Sequence, residues 1–197
     1  MAEDKKKNMI DAALKLFEDQ GYHQTKVSDI VREAGVAQGT FYLYFQGKED
    51  LFRGIAESCL DEISAALKHG PEQSCQDDGV YYWMIHRALT VYYHNRTILQ
   101  IMYRNGVASQ EIKDISDAFY HEMMLIIKEH LKELSIFPQY TEEQLEIAAY
   151  SKIGMVEMVA YQWFVVKQFG PDYINAIAEV IVQMDCPPGS KMEVRVE

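Results

Sequence analysis

Residues 25–53 read TKVSDIVREAGVAQGTFYLYFQGKEDLFR, and this segment is the most diagnostic part of the chain. Apolar residues recur at helical spacing after Thr25, whose hydroxyl can cap the start of a helix. Gly35 can adopt the positive φ that ends a helix at little cost, so a second helix can start at Ala37 or Gln38. The pattern predicts two short helices joined by a tight turn.

The second of these helices has an unusual outer face. Phe41 and Phe45 are four residues apart, which puts both rings on one side of a helix, where they can anchor it. The opposite face then carries Gln38, Thr40, Tyr42, Leu43 and Tyr44. In a major groove, glutamine can pair with adenine, threonine and leucine can contact thymine methyls, and tyrosine hydroxyls can bond phosphate. The alternative is that the tyrosines are core or boundary residues.

A phosphate site is predicted directly after this helix. Lys48 stands at the start of the next helix, followed by Glu49 and Asp50. Free N–H groups at a helix start, together with an ammonium group, favour an anion.

These residues carry a resemblance to a known family. The segment Ile10 to Ile55, with AALKLFEDQGY and then TKVSDIVREAGVAQGTFYLYFQGKEDLF, resembles the N-terminal domain of the tetracycline-repressor-like (TetR) family of bacterial transcription factors. The resemblance implies a homodimer in which a three-helix DNA-binding domain sits on a larger helical ligand-binding and dimerisation domain. Family members often place histidine, or a bulky aromatic before it, where this chain has Leu43 and Tyr44, so the bases read are not transferable.

The resemblance also implies a set of DNA contacts from three places in the chain. They are Lys26 and Ser28 near the start of the second helix, Gln38, Gly39, Thr40, Tyr42, Leu43 and Tyr44 in the recognition helix, and Lys48 at the start of the fourth.

Composition and cysteine usage are those of a folded protein in a reducing compartment. Of 197 residues, 48% are hydrophobic and 25% are charged. No apolar run approaches ~20 residues and the start is charged and then amphipathic, so we expect no membrane span, no secretory signal and a cytoplasmic protein. Cys59, Cys75 and Cys186 have no zinc or redox spacing, although a redox-sensing pair remains an alternative.

The acidic charge is unevenly distributed along the chain. The net charge is −11, but residues 1–55 hold eight basic and nine acidic side chains, leaving a net of −10 on the remainder. The predicted DNA reader therefore has little electrostatic attraction for DNA, and we expect it to depend on base contacts and on two half-sites.

Periodicity and capping signals predict only helices, about nine in all. Besides the two described above, they cover about 4–20, 48–68, 77–95, 97–105, 109–134, 141–168 and 171–184. The segment 70–79 is the clearest loop. The predicted organisation is all-α, with a helix-turn-helix DNA-binding domain at 1–47, a ligand-binding and dimerisation domain at 48–186, and a disordered tail at 187–197.

The last two helices are candidates for the dimer interface. The helix from Thr141 to Gln168 is apolar nearly all round, so it must be covered on more than one side. One side can pack within its own domain while another faces an identical subunit, which is where the resemblance places the homodimer contact.

A dense set of aromatic and methionine residues predicts an apolar effector pocket in the second domain. The candidate ligand-binding residues are Trp83, His86, Tyr103, Phe119, Met123, Glu157, Met158 and Tyr161. Glu157 interrupts an apolar run, where a buried carboxylate needs a partner or stays protonated. It could meet a cationic ligand, and a surface or dimer-edge position is the alternative.

These features predict a regulator released from a palindromic double-stranded DNA operator by a small hydrophobic effector, with no cofactor and no metal. The competing classes are an enzyme, a helical small-molecule-binding protein with no DNA role, and a helical adaptor. The chain has no HExxH, GxSxG, CxxC or glycine-rich phosphate motif, and its histidines lack metal-ligand spacing. The outward Tyr42 and Tyr44 distinguish the regulator, because neither an enzyme nor an adaptor requires them.

Overall fold

The computed structural model describes residues 2–68, 77–105, 109–133, 135 and 137–185. Every regular element in these ranges is helical. The α-helices are α1 Ala2–Gln20, α2 Val27–Glu33, α3 Gln38–Phe41, α4 Lys48–Lys68, α5 Asp77–His94, α6 Arg96–Asn105, α7 Gln110–Glu133, α8 Glu142–Ala160 and α9 Ile174–Asp185. The all-α prediction is confirmed. Cys75, Cys186, most of the predicted loop 70–79 and the predicted tail 187–197 lie outside the described residues.

The chain divides into two compact units. Unit 1 comprises Met1–Ser58 with Thr97–Asp117, and unit 2 comprises Cys59–Arg96 with Ala118–Glu197. The predicted boundary at residue 47, between a DNA-binding and a ligand-binding domain, remains a prediction. The two units are defined by contacts between residues, whereas that boundary is defined by function. No helix of the described chain is long and apolar enough to cross a membrane.

Unit 1 is built on a small aromatic core. Helix α2 packs against both α1 and α3. The fully buried side chains here include Met9, Ala13, Ile30, Phe41, Leu51 and Phe52. The predicted stop Gly35 (φ +65°) follows α2, and Gly21 (φ +89°) follows α1, so both glycines adopt the left-handed conformation that glycine accepts without strain.

Unit 2 is built around α5, which packs against both α8 and α9, while α8 and α9 also contact each other. Leu89 of α5, Ala149 of α8 and Ala178 of α9 are fully buried. The predicted start of this helix at Thr141 is confirmed, because Gln144 N–H donates to the Thr141 hydroxyl at 3.3 Å and Thr141 N–H donates to the Gln144 amide oxygen at 2.9 Å, which caps α8.

Two predicted helix boundaries were wrong. Helix α6 begins at Arg96, one residue before its predicted start, so Thr97 is buried inside the helix. The long helix predicted to reach Gln168 is α-helical only to Ala160 and continues as a π-helical segment, Tyr161–Val166. In that segment the hydrogen bonds reach one residue further, which apolar periodicity does not signal.

Candidate nucleic-acid interface and effector site

The turn between α2 and α3 has the predicted geometry. Helix α2 is capped at its end by Ala34, and Gly35 then turns the chain. Val36 N–H donates back to the Val31 carbonyl at 3.0 Å, which satisfies one of the carbonyls at the helix end. Helix α3 starts at Gln38 after an extended Ala37.

The start of α2 differs from the prediction that Thr25 caps it. Lys26 is the cap residue, and its N–H donates to the Asp29 carboxylate at 3.2 Å. The buried Thr25 hydroxyl donates instead to the Gly21 carbonyl at 2.9 Å, so it closes the turn after α1. The side chains of Lys26 and Ser28 are both exposed.

Two phenylalanines anchor the recognition segment, which we define as residues 38–44. Phe41 and Phe45 are both buried, and their ring centroids lie 5.5 Å apart. The prediction that both rings share the inner face is confirmed. Because the anchor is aromatic and fully desolvated, the outer face of the segment has a defined orientation.

The outer face of this segment is apolar and exposed. Leu43 is 81% exposed and Tyr42 is 54% exposed. Gln38 and Gly39 are also exposed, while Thr40 and Tyr44 are half-buried. Because the neighbouring Tyr42 and Leu43 are both exposed, they form an apolar patch, which makes this face a candidate for contact with a partner.

The recognition helix itself is shorter than predicted. It is α-helical only from Gln38 to Phe41, and residues 42–44 form turns. Leu43 N–H donates to the Thr40 carbonyl at 3.2 Å and Tyr44 N–H donates to the Phe41 carbonyl at 3.0 Å, three residues back in each case. This tightening is typical of a helix end, and here it lets the chain reach the start of α4 within a few residues.

Lys48 is turned toward its own unit. Its ammonium group donates to the carbonyl oxygens of Tyr22 at 2.8 Å and Thr25 at 3.0 Å. It also lies 4.3 Å from the centroid of the Tyr22 ring. Burial lowers the pKa of Lys48 from its usual value, and Glu49 partly opposes that effect.

The predicted effector residues differ in burial and are divided between the two units. Within unit 2, Phe119, Met123 and Glu157 are buried, and Trp83, His86 and Tyr161 are half-buried. Met158 is 46% exposed, unlike that buried set. Tyr103 belongs to unit 1 and is 39% exposed.

Glu157 is an acidic residue buried inside unit 2. The surface alternative was wrong, because Glu157 is only 3% exposed. The Tyr120 hydroxyl donates a hydrogen bond to its carboxylate. Burial raises the pKa of Glu157 to about 7, and the Tyr120 hydrogen bond opposes the rise. Near neutral pH this carboxyl group can therefore act as an acceptor or, when protonated, as a donor.

Sequence reasoning missed the hydrogen-bond partner of Glu157. Tyr120 is 37 positions away, and no local pattern links the two. The Tyr92 hydroxyl lies 3.3 Å from the sulfur of Met123 in the same unit. Cys59 is buried, and burial together with nearby carboxylates raises its pKa to about 12, so this thiol is not a reactive one.

A cleft of about 440 Å³ also lies in unit 2, at the loop before α8. Its lining residues are Phe137, Tyr140, Gln144, Ile147, Ala148, Ser151, Lys152 and Met155, none of which was a predicted ligand contact. Phe137 and Tyr140 stack with their centroids 4.7 Å apart, and the Lys152 ammonium lies 3.1 Å from the Tyr81 hydroxyl. The positive φ of Phe137, which places its ring, has no signal in the sequence.

The last two helices expose apolar side chains. Those on α8 are Ile147, Tyr150 and Met158, and those on α9 are Val180 and Met184. The spacing of Ile147, Tyr150 and Met158 places them along one face of α8, which we call the α8 apolar face. This pattern agrees with the predicted need for α8 to be covered on more than one side.

Comparisons with known proteins agree with this geometry. Residues 9–55 match the model of bacterial regulatory proteins of the tetR family. An HTH-type transcriptional regulator of Bacillus subtilis, YdgC, is 30% identical over 161 residues, which cover 77% of each chain. The fatty acid metabolism regulator protein of the same organism is 29% identical over 129 residues, or 63% of this chain and 66% of that protein. A further B. subtilis regulator, YvdT, matches over only 37% of its own length.

Crystal structures of other proteins share this fold. The crystal structure of a TetR-family regulator from Syntrophomonas wolfei superposes with a TM-score of 0.80 at 19% identity, covering 93% of this chain and 95% of the other. The family model matches the unit 1 residues that form the turn and the recognition segment, and YdgC extends the likeness over most of unit 2. The chain therefore belongs to the TetR family of bacterial transcriptional regulators.

Proposed function

We propose that this chain is a homodimeric transcriptional repressor that is released from a palindromic operator by a small, largely apolar molecule. The observation that carries the proposal is the exposed pair Tyr42 and Leu43 on a segment whose opposite face is anchored by Phe41. An exposed apolar surface is costly in water, and the buried Phe41 holds this one in a defined shape. Such a regulator acts where the chromosome is, in the cytoplasm.

The recognition segment supplies the groups that a major groove requires. Gln38 can pair with adenine, Leu43 can contact a thymine methyl group, and the Tyr42 hydroxyl can donate to a phosphate. The further DNA contacts that we propose are Lys26, Ser28, Gly39, Thr40 and Tyr44. Residues 1–55 have a net charge near −1, so specificity has to come from these contacts more than from attraction between charges.

A dimer is needed to present this segment twice. The α8 apolar face and the exposed Val180 and Met184 of α9 provide apolar area for a symmetric contact between two copies. Two identical recognition segments spaced about one helical turn of DNA apart would then read the halves of a palindrome.

The effector site that we propose is the interior of unit 2 around Glu157 and Tyr120. Phe119 and Met123 are the buried apolar residues among the predicted contacts, and Trp83, His86 and Tyr161 are the half-buried ones. Methionine and aromatic side chains repack around varied apolar ligands. A carboxyl group in such surroundings selects a ligand that carries a hydrogen-bond donor or a cation, because that group would compensate the desolvated carboxylate. The B. subtilis relative that is named for fatty acid metabolism supports an effector with a large apolar part.

Release from DNA requires that the effector binds two states of the dimer with different affinities. Induction by about 100-fold corresponds to roughly 2.7 kcal/mol of coupling between the effector site and the DNA-binding surface. That amount is within the usual range for allosteric proteins, so no unusual mechanism is needed. The rival classes, an enzyme or a helical ligand-binding protein without a DNA role, do not need an exposed leucine and tyrosine on an anchored segment.

The test is selection of binding sites from a pool of random-sequence DNA duplexes by the wild-type dimer. We expect enrichment of a palindrome, a footprint on it, and loss of that footprint for Tyr42→Ala with an unchanged melting temperature. Tyr140→Ala, at an exposed tyrosine of unit 2, is the matched control and should footprint normally. Failure of the wild-type protein to enrich any sequence would contradict the proposal, and a normal footprint by Tyr42→Ala would contradict the assigned recognition segment.

A further inference from the structure

Lys48 lies at a junction of unit 1. It is the first residue of α4, four positions after the last residue of the recognition segment. Residues 21–26 form the turn that connects α1 to α2. The Lys48 ammonium bonds to the carbonyl oxygens of Tyr22 and Thr25, which are both in that turn. The Lys48 side chain therefore connects the beginning of the helix-turn-helix to its end.

The partners of Lys48 are themselves held in place. Tyr22 is buried, and its ring packs against Phe17 of α1 at 5.0 Å and Phe52 of α4 at 5.5 Å between centroids. Thr25 is also buried, and its N–H donates to the Gly21 carbonyl at 3.3 Å. Carbonyl oxygens on such a rigid turn, next to the face of an aromatic ring, form a fitted seat for an ammonium group.

This seat competes with the phosphate contact expected from the sequence. An ammonium group has three donors, and two of those of Lys48 are used within the protein. The residues that follow it at the start of α4, Glu49 and Asp50, are acidic. The Asp50 carboxylate accepts the Gln46 N–H at 2.9 Å, so negative charge already occupies this helix start.

We infer that Lys48 is a positioning residue, which sets the orientation of the recognition segment by joining the Tyr22–Thr25 turn to the start of α4, and that it is not a phosphate contact. The inference rests on the proposed DNA-binding function. Phe41 and Phe45 hold the segment from its inner side, and Lys48 fixes the end at which the chain leaves it. Loss of this tie lets the segment move while the DNA-facing charges stay the same.

The test compares salt dependence with affinity. The probes are the palindrome enriched by the wild-type dimer and a random-sequence duplex of equal length, each titrated over a range of salt concentrations. A lysine that contacts phosphate contributes about 0.9 to the slope of log affinity against log salt, so its loss lowers the slope for both duplexes. We expect Lys48→Met to lose about tenfold or more in affinity for the palindrome, with unchanged slopes and unchanged affinity for random DNA.

Two further variants sharpen the comparison. Lys26→Met removes an exposed lysine at the start of α2 and is the control that should lower both slopes. Lys48→Arg keeps the charge and can bind phosphate in bidentate fashion, so a phosphate role predicts wild-type affinity for the palindrome. A positioning role predicts a loss instead, because the larger planar group does not fit the seat of two carbonyls beside Tyr22.

A readout without DNA separates this inference from the proposed function. Hydrogen exchange of the free dimer should be faster in residues 21–27 of Lys48→Met than in the wild type. Unchanged exchange there, a slope lowered as in Lys26→Met, or wild-type palindrome affinity for Lys48→Arg would each overturn the role of Lys48. Failure of the wild-type protein to enrich any palindrome would contradict the proposed function, whatever the exchange experiment shows.

Discussion

The Tyr120 hydroxyl donates a hydrogen bond to the carboxylate of Glu157 inside unit 2, and that carboxylate is almost completely shielded from water. Burial raises the pKa of Glu157 to about 7, whereas its usual value is 4.5. The charge of Glu157 also contributes to the raised pKa of the buried Cys59 thiol. A carboxyl group held this way costs stability when it is ionised, which natural proteins tolerate mostly at functional positions.

Glu157 makes the stability of the protein depend on pH. Because its folded-state pKa lies above the unfolded one, the folded protein keeps a proton that the unfolded chain releases between about pH 4.5 and 7. Stability therefore falls as the pH rises through this window, by about 3 kcal/mol in all. We expect Glu157→Gln to match the wild-type melting temperature near pH 5 and to exceed it near pH 8.

The measurement is a series of thermal melts from pH 5 to pH 8. Glu146→Gln, at an exposed acid on the same helix, is the control and should follow the wild type at every pH. If the melting-temperature difference between Glu157→Gln and the wild type stays constant with pH, the raised pKa is refuted.

The burial of Glu157 and its pairing with Tyr120 could not be predicted from the sequence. On a helix with a polar face, a lone carboxylate is assigned to that face, but α8 is apolar on most sides and gives no such guide. Its partner Tyr120 comes from a distant part of the chain, and pairing at that range follows from packing, which one sequence does not encode locally. By contrast, Phe41 and Phe45 could be placed inside and Leu43 outside from spacing alone, because a four-residue interval fixes a shared helical face.

The inner and outer faces of the recognition segment should respond differently to truncation. Phe41→Ala removes a fully buried ring, which typically costs about 3–5 kcal/mol, so we expect a large drop in melting temperature. Leu43→Ala shortens a side chain that is exposed to water, so the melting temperature should stay within the error of the wild type while operator affinity falls. Melting and operator-binding titrations of both variants make the comparison. A Leu43→Ala protein with full operator affinity would show that this side chain does not contact DNA.

Two glycines of the helix-turn-helix should also separate stability from binding. Gly35 has a φ of +65°, a conformation in which a side chain is strained by about 1–2 kcal/mol, so Gly35→Ala should be destabilising. Gly39 lies in α3, and a methyl group there meets no atom within 4 Å, so Gly39→Ala should stabilise the fold by about 0.5–1 kcal/mol.

Gly39→Ala should lower operator affinity although it raises the stability of the fold. If the Gly39 backbone approaches the DNA closely, the added methyl group of Gly39→Ala collides with it and lowers operator affinity in a more stable protein. Chemical denaturation and operator titration of the same sample decide this. A Gly39→Ala protein that is both more stable and fully active would remove Gly39 from the DNA surface.

The α8 apolar face should determine the oligomeric state. Ile147 is 66% exposed in the single chain, and a carboxylate at that position would be desolvated against its symmetry copy in a dimer. We expect Ile147→Glu, alone or with Val180→Glu, to give monomers by sedimentation velocity, with a helical content equal to that of the wild type. Glu122→Arg, a change of charge at an exposed position of α7, is the control and should remain dimeric. Since a monomer presents only one recognition segment, Ile147→Glu should also lose the palindrome while keeping its weak affinity for random DNA. A dimeric Ile147→Glu, Val180→Glu protein would place the subunit contact elsewhere on the chain.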